Sequence, residues 1–351
     1  MDQDIIEELG DYKIIKVLGR GSFGTVYEAE RKDNRSIYAI KAENMHAHPD
    51  QSMLKNEYTV YNEMKGLDGI IDVYYLGVSN DIYYLVMDKL GNSLEQIYEE
   101  RNRNFSLKTI CMIGKRMIDI IKGIHEKGRI YRDIKPENFL LSLDKKNIYL
   151  VDLGMTKRYV DLYSGKHIKL EINKKLTGTA RYASINTHNG LEQSRRDDLE
   201  SILYVLIYFS VGSLPWMGIH ASTGKEKYQL IGKKKNEISP ETLCKGIRGS
   251  KYFIKCLKYI RSIEFEEKPD YDRINFYFDS LMTSKNLEND GIYDWLVGYT
   301  EYETLNMYED KKDVEICNIQ GENNRNKKKK KGFWKKLKSF ISECGSSNHS
   351  S

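Results

Sequence analysis

The chain has 351 residues, 40% of them hydrophobic and 11% aromatic, which is enough for one large domain or two lobes around a packed core and excludes a wholly disordered chain. The net charge of +5 is uneven: residues 322–343 hold nine Lys or Arg against two Glu, a net +7 that leaves −2 for the rest, so the basic character belongs to the C-terminal end. Five cysteines (Cys111, Cys244, Cys256, Cys317, Cys344) are odd in number and form no CxxC pair, a pattern of buried thiols in a reducing compartment rather than of a disulfide framework.

The opening "MDQDIIEELG" carries acids and no apolar core, so it does not read as a secretory signal. Asp2 stands where myristoylation needs glycine, and the final "NHSS" is no prenylation box. Residues 12 to 44 alternate like strands in "YKIIKVLG", "TVYEAERK" and "SIYAIKAE", with glycines and "KDNRS" as turns. Residues 52–66 show helical spacing in Met53, Leu54, Tyr58, Tyr61 and Met64, with Ser52 as N-cap. Two more strands follow in "IIDVYYLGV" and "IYYLVM". From about residue 93 the periodicity becomes helical: "SLEQIYEERN", "LKTICMIGKRMIDIIKGIHEKG", "DDLESILYVLIYFSVG", "SKYFIKCLKYIRSI" and "INFYFDSLMTS". The greasiest stretch, "SILYVLIYFSVG", is shorter than the ~20 residues of a membrane span and reads as a core helix. Beyond residue 305 the chain turns polar and then lysine-rich.

"GRGSFGTVYEAE" holds Gly19, Gly21 and Gly24. A dinucleotide fingerprint must open a helix, yet Thr25, Val26 and Tyr27 continue as a strand. A glycine hairpin lying over phosphates fits instead, since missing side chains let backbone N–H groups reach an anion. Val26 would then press on a base. Lys41, in an apolar strand, is either an ordinary edge lysine or a cation for phosphates braced by a carboxylate of the next helix. Glu57 is the partner expected for it and Glu63 the rival. In "YRDIKPENFLL", Asp133 can accept the proton of an attacking hydroxyl, Lys135 can neutralise phosphate, and Asn138 offers an amide oxygen to Mg²⁺. Asp152, 19 residues past Asp133, adds a metal carboxylate. Singly, each has a plain structural reading: a surface ion pair, a helix cap, a turn residue. The order glycine loop, Lys, Glu, D-I-K-P-E-N and Asp-x-Gly is what phosphoryl transfer requires, namely alignment and charge stabilisation.

These motifs resemble eukaryotic protein kinases over residues 12–300. "LTGTARYASINTHNGLEQSRRDDLES" and "SLPWMG" resemble the casein kinase I family of Ser/Thr kinases, in which Ala-Pro-Glu is replaced by Ser-Ile-Asn, as at Ser184-Ile185-Asn186. The resemblance implies an α+β bilobal kinase fold with a β-rich N-lobe (1–88), a helical C-lobe (89–300) and a linker with a basic amphipathic tail (301–351). It implies ATP and Mg²⁺, with Asp133 as catalytic base, Lys135 on the phosphate, and Asn138 and Asp152 as metal ligands. Nucleotide would sit against Leu18, Gly19, Arg20, Gly21, Ser22, Phe23, Gly24, Thr25, Val26, Ala39, Lys41, Glu57 and Leu140. Val151 would join the base pocket, Met87 would be the gatekeeper, and Asp88, Lys89 and Leu90 the hinge. The family's usual His is Tyr131 here and its usual Phe is Leu153; neither touches phosphate or metal, so an active enzyme is expected over a pseudokinase scaffold that binds phosphoproteins.

The family prefers Ser or Thr downstream of acidic or phosphorylated residues. Arg181 and Lys227 match its anion site, Lys225 adds charge, and Gly224 stands where relatives tend to carry a base. The bland reading is surface bases. Activity without activating phosphorylation is the family's habit. The tail, residues 325–344, places Phe333, Trp334, Leu337, Phe340, Ile341 and Cys344 on one helical face beside lysines. Three readings stand open: an anionic membrane surface with Cys344 as lipidation site, a nuclear import signal or nucleic-acid patch in the lysine run, or docking on the kinase body with the lysines merely solvated. Peripheral membrane association, nucleus and cytoplasm follow respectively, and relatives in signalling and DNA repair occupy such places. The kinase domain itself is not expected to bind nucleic acid.

Overall fold

The computed structural model describes residues 6–21, 24–46 and 52–297, within one compact unit that runs to Val297. Ser22 and Phe23 of the glycine loop, and the tail, lie outside the described residues. Strands β1 (Glu8–Leu9), β2 (Tyr12–Gly21), β3 (Gly24–Arg31), β4 (Ile37–Asn44), β5 (Val73–Ser79) and β6 (Ile82–Met87) form an antiparallel sheet in the order β1-β2-β3-β4-β6-β5. The period-two pattern sorts their side chains. Tyr27, Ala29, Ile40, Ala42, Tyr84 and Val86 pack on one face. Val26, Ala39, Leu85 and Met87 pack on the other, toward the main core. Helix α1 (Met53–Met64) covers that second face. Its Ser52 cap accepts from the Lys55 N–H at 3.2 Å and donates to Glu43 at 2.7 Å. Glu57 is buried in the same stripe as Leu54, Val60, Tyr61 and Met64.

The remaining chain is mostly helical: α2 (Leu94–Glu100), α3 (Leu107–Glu126), α4 (Ile185–His188), α5 (Arg195–Val211), α6 (Gly224–Glu237), α7 (Pro240–Leu243), α8 (Ser250–Ser262) and α9 (Tyr271–Ser284). Helix α5 is buried on every side, as an apolar run without a polar stripe must be. Helices α3 and α8 pack directly on it, and α9 packs on both of those. Gly114 permits the α3–α5 approach, since a Cβ there would lie 2.7 Å from Leu206 Cδ1. Two small antiparallel pairs, β7 (Arg129–Ile130) with β10 (Lys157–Arg158) and β8 (Phe139–Leu141) with β9 (Ile148–Leu150), frame the loops at 131–138 and 151–156.

The sheet, α1 and helices α2, α3, α5, α8 and α9 fall where periodicity puts them. Helix α6 was not predicted: "GKEKYQLIGKKKNE" buries only Ile231, Gly232 and Lys235, too few apolar positions to set a period. Strands β1 and β7–β10 have two or three residues each, too short for any alternation.

The last described turn is fastened to α3 by Asp294, whose carboxylate accepts from the Ser106 N–H at 2.6 Å and the Ser106 hydroxyl at 2.7 Å. The Asp294 N–H donates to Thr109 at 3.0 Å. Asp294→Ala strands these buried donors and is expected to lower unfolding free energy by about 1–3 kcal/mol in urea titration.

Candidate active site

A buried lysine joins the sheet to α1 and to the loop after β9. Lys41, on β4, donates to Glu57 of α1 at 2.6 Å and to Asp152 at 2.8 Å. Burial works against its charge, but the two carboxylates outweigh that and raise its pKa above the ordinary lysine value, so it stays an ammonium. The rival Glu63 is engaged elsewhere, with Arg129 at 2.7 Å and Arg158 at 2.6 Å. Glu57 is therefore the partner of Lys41.

Asp152 has left-handed backbone, φ 61° and ψ 67°, uncommon for a side chain with Cβ. Its N–H donates to Tyr61 of α1 at 3.1 Å, so α1 fixes both the carboxylate at 57 and the backbone at 152. Across the loop, Asn138 donates through Nδ2 to the Tyr131 hydroxyl at 2.7 Å and the Asp133 carbonyl at 3.1 Å. With the amide nitrogen spent, its Oδ1 is the atom left for a ligand. Hard oxygen donors on Asn138 and Asp152 suit a cation such as Mg²⁺.

Asp133 is buried, and its oxygens are separately held. Oδ1 accepts from the Thr179 N–H at 2.9 Å and the Thr179 hydroxyl at 2.8 Å; Oδ2 accepts from Lys135 at 2.6 Å. Gly178 makes this approach feasible: its φ is +91°, and a Cβ would sit 2.2 Å from the Arg132 carbonyl oxygen. The loop backbone hangs from helix α5. Asp198 accepts from the N–H groups of Tyr131 at 2.7 Å and Arg132 at 2.8 Å, and His125 Nε2 lies 2.9 Å away. Burial lowers the His125 pKa, so the neutral ring donates from Nε2 to Asp198 and accepts the Tyr271 hydroxyl at Nδ1, 2.7 Å away. Glu192, buried behind the loop, forms ion pairs with Lys157 at 2.9 Å and Lys174 at 3.0 Å.

Tyr131 replaces the expected histidine, and its role is specific. The ring is fully buried; its hydroxyl donates to the Val151 carbonyl at 2.7 Å while accepting from Asn138. It ties the orientation of the Asn138 amide to the residue preceding Asp152. Leu153 is fully buried in the main core, an apolar substitute for the expected phenylalanine.

Around the cleft, Ala39 pairs in register with Met87, and Val26 with Lys41. Ala39 and Met87 are buried; Val26, Leu90 and Val151 are partly buried against the same core, and Leu140 is partly buried. Leu18 is exposed above, as are Gly19, Arg20 and Gly21 on β2; Gly24 and Thr25 begin β3. At the expected hinge, Asp88 accepts from the Tyr74 hydroxyl and from the Asp72 N–H at 3.3 Å. Lys89 lies 3.4 Å from Glu28 of β3. Arg181 rests on the Tyr182 ring, 5.7 Å from its centroid, while Lys225 and Lys227 are exposed at the start of α6. Sequence reasoning missed Thr179, Tyr61, Asp198 and the Tyr131 hydroxyl. The acid pair Asp197-Asp198 opening a greasy helix was the one visible signal among them.

Among known proteins, residues 12–262 match the protein kinase domain. The chain is 43% identical over 290 residues to casein kinase I homolog 2 of Schizosaccharomyces pombe, covering 82% of this chain. It is 46% identical over 288 residues to casein kinase I homolog 3 of the same organism, covering 81%. The chain spans just under two thirds of those relatives' own length, 66% and 65%.

Tyr131→Phe removes the hydroxyl between Asn138 and Val151, costing the buried Asn138 amide one of its acceptors and the Val151 carbonyl this donor, a loss of about 1–3 kcal/mol. Thermal melts are expected to show that loss. Single-turnover kinetics are expected to show a chemical step slower by about tenfold or more.

Proposed function

Because the chain belongs to the protein kinase family, we propose that it is a casein kinase I-like serine/threonine kinase acting on acidic or phosphorylated proteins. The observation that carries this reading is one continuous network of four side chains. Lys41 bonds to Asp152; Tyr131 joins Asn138 to Val151, next to Asp152; Asn138 bonds to the Asp133 carbonyl. Such a network fits a nucleoside triphosphate with Mg²⁺, held by Asn138 and Asp152. When bound, that ion supplies charge neutralisation at the phosphates.

The substrate hydroxyl oxygen forms a bond to the γ-phosphorus as the bond to the β–γ bridging oxygen breaks, and ADP departs. Asp133 orients the hydroxyl and takes its proton, while Lys135 offsets charge on the transferring group. Lys41 holds the preceding phosphates, its ammonium kept by Glu57. The apolar walls at Val26, Ala39, Met87, Leu90 and Leu140 take the base, as Leu18 does from above.

Arg181, with Lys227 and Lys225 on α6, would hold an acidic or phosphorylated side chain upstream of the target by charge-assisted hydrogen bonds. Buried Glu192, between Lys157 and Lys174, supports activity without activating phosphorylation, since a permanent carboxylate already gathers the bases of that segment.

Two measurements test the reading. Asp133→Asn is expected to reduce γ-phosphate transfer to an acidic peptide by about 10²–10⁴-fold while ATP still binds by calorimetry. A wild type as inert as the variant, with ATP bound, would mean a phosphoprotein-binding scaffold. Arg181→Ala is expected to raise KM for phosphoprimed peptides by about tenfold or more and to leave unprimed peptides nearly unchanged. Equal loss on both would remove the proposed anion contact.

A further inference from the structure

Lys235 faces inward from α6 with 1% of its surface exposed. Its ammonium donates to the carbonyls of Ala180 at 2.9 Å and Ala183 at 2.5 Å. It also lies 4.8 Å from the ring centroids of both Tyr204 and Trp216. Among the described residues no ion pair is made to it. Glu200 of α5, a carboxylate whose charge acts on Lys235, is bonded to Arg261 of α8 at 2.8 Å and accepts from the Tyr204 hydroxyl at 2.8 Å. His188 of α4 also faces this cluster, 3.1 Å from the Ala180 carbonyl. Burial, with Lys235 adding to it, holds His188 down to about 4, so it is neutral.

An ammonium buried this way does not favour folding. Burial pushes the Lys235 pKa down to about 7; Glu200 opposes the shift and Arg261 adds to it. The unfolded chain therefore binds more protons between pH 7 and the ordinary lysine value, and stability rises with pH across that window. Keeping the proton below pH 7 costs stability, so what the lysine holds deserves a functional account. It holds the two carbonyls that flank Arg181, whose own carbonyl accepts from Trp216 Nε1 at 2.7 Å. Three carbonyls within four residues, at 180, 181 and 183, are thus gripped from beneath by α6 and Trp216.

We propose that Lys235 is a positioning residue for recognition of an acidic or phosphorylated group upstream of the target hydroxyl, acting through the backbone that presents Arg181. The inference rests on the reading of Arg181 as the anion contact. Protonated, Lys235 fixes the 180–183 backbone through its hydrogen bonds and its attraction to the two rings. Deprotonated, it loses the ring attraction and the charge assistance of both bonds, and the backbone loosens.

The test uses the full chain and two peptides, one with aspartates upstream of the target serine and one without acids. KM and kcat are measured at about pH 6 and about pH 8, on either side of the Lys235 titration, for wild type, Lys235→Met and Arg181→Ala. Aspartates stay ionised throughout, so the substrate does not titrate. For wild type, KM for the acidic peptide is expected to rise severalfold with pH, while kcat and the acid-free peptide hold steady. Lys235→Met is expected to raise KM for the acidic peptide about tenfold at the lower pH and to abolish the pH dependence. A pH-independent wild-type KM, or an equal loss on both peptides in Lys235→Met, overturns the proposal. If Lys235→Met does not fold, the wild-type pH profile alone decides. Arg181→Ala separates the layers: if it spares the acidic peptide, the anion reading itself fails; if it impairs that peptide while Lys235→Met does not, only the role of Lys235 is lost.

Discussion

Lys41 reaches two carboxylates from different parts of the chain, Glu57 on α1 and Asp152 in the loop after β9. Removing Lys41 would leave the buried Glu57 carboxylate and that of Asp152 without their shared counter-charge, a cost of about 3–5 kcal/mol. The cleft therefore exists only while β4, α1 and the Asp152 loop keep their places together. A nucleotide's phosphates add negative charge beside the same ammonium, which fits a site that is stable without ligand and receptive to an anion. Tyr61 strengthens the arrangement by bonding the Asp152 backbone from the same helix that supplies Glu57.

The second anchor is helix α5. Asp198 holds consecutive N–H groups of the loop that carries Asp133, and its own charge is supported by neutral His125. A loop with Arg132 at φ 75° needs such external bonds, because its backbone cannot satisfy itself as a helix or strand would. Thr179 then closes onto Asp133 from the opposite side. Its approach depends on Gly178, where the left-handed φ and the nearby Arg132 carbonyl leave no room for a side chain. The segment 178–183 and the loop that carries Asp133 are thus held together, with Trp216 and Lys235 gripping the far end of the segment.

Much of this was legible in the residues. Alternation predicts the sheet because one face of each strand is buried, and the 3.6 period predicts the long helices for the same reason. The juxtaposition of Lys41 with Glu57 and Asp152, and of Asn138 with Asp133, was foreshadowed by the order of the motifs that hold them. Glu57 over Glu63 was also foreseeable from helix position, and the structure shows why: Glu63 faces Arg129 and Arg158 instead. Helix α6 escaped, because a helix that buries one lysine and little else has no apolar rhythm to announce it.

The sequence by itself determined which groups could do chemistry and in what order the elements carry them, since local periodicity and residue type are properties of the chain. It could not determine which atoms meet. Tyr131 bonds Asn138 and Val151, Thr179 bonds Asp133, and Lys235 loses its usual basicity beneath Arg181 only because distant segments, up to 55 residues apart for Lys235 and Ala180, are packed into one low-dielectric interior. Burial and partner geometry are collective properties of the folded molecule, and no reading of neighbours along the chain supplies them.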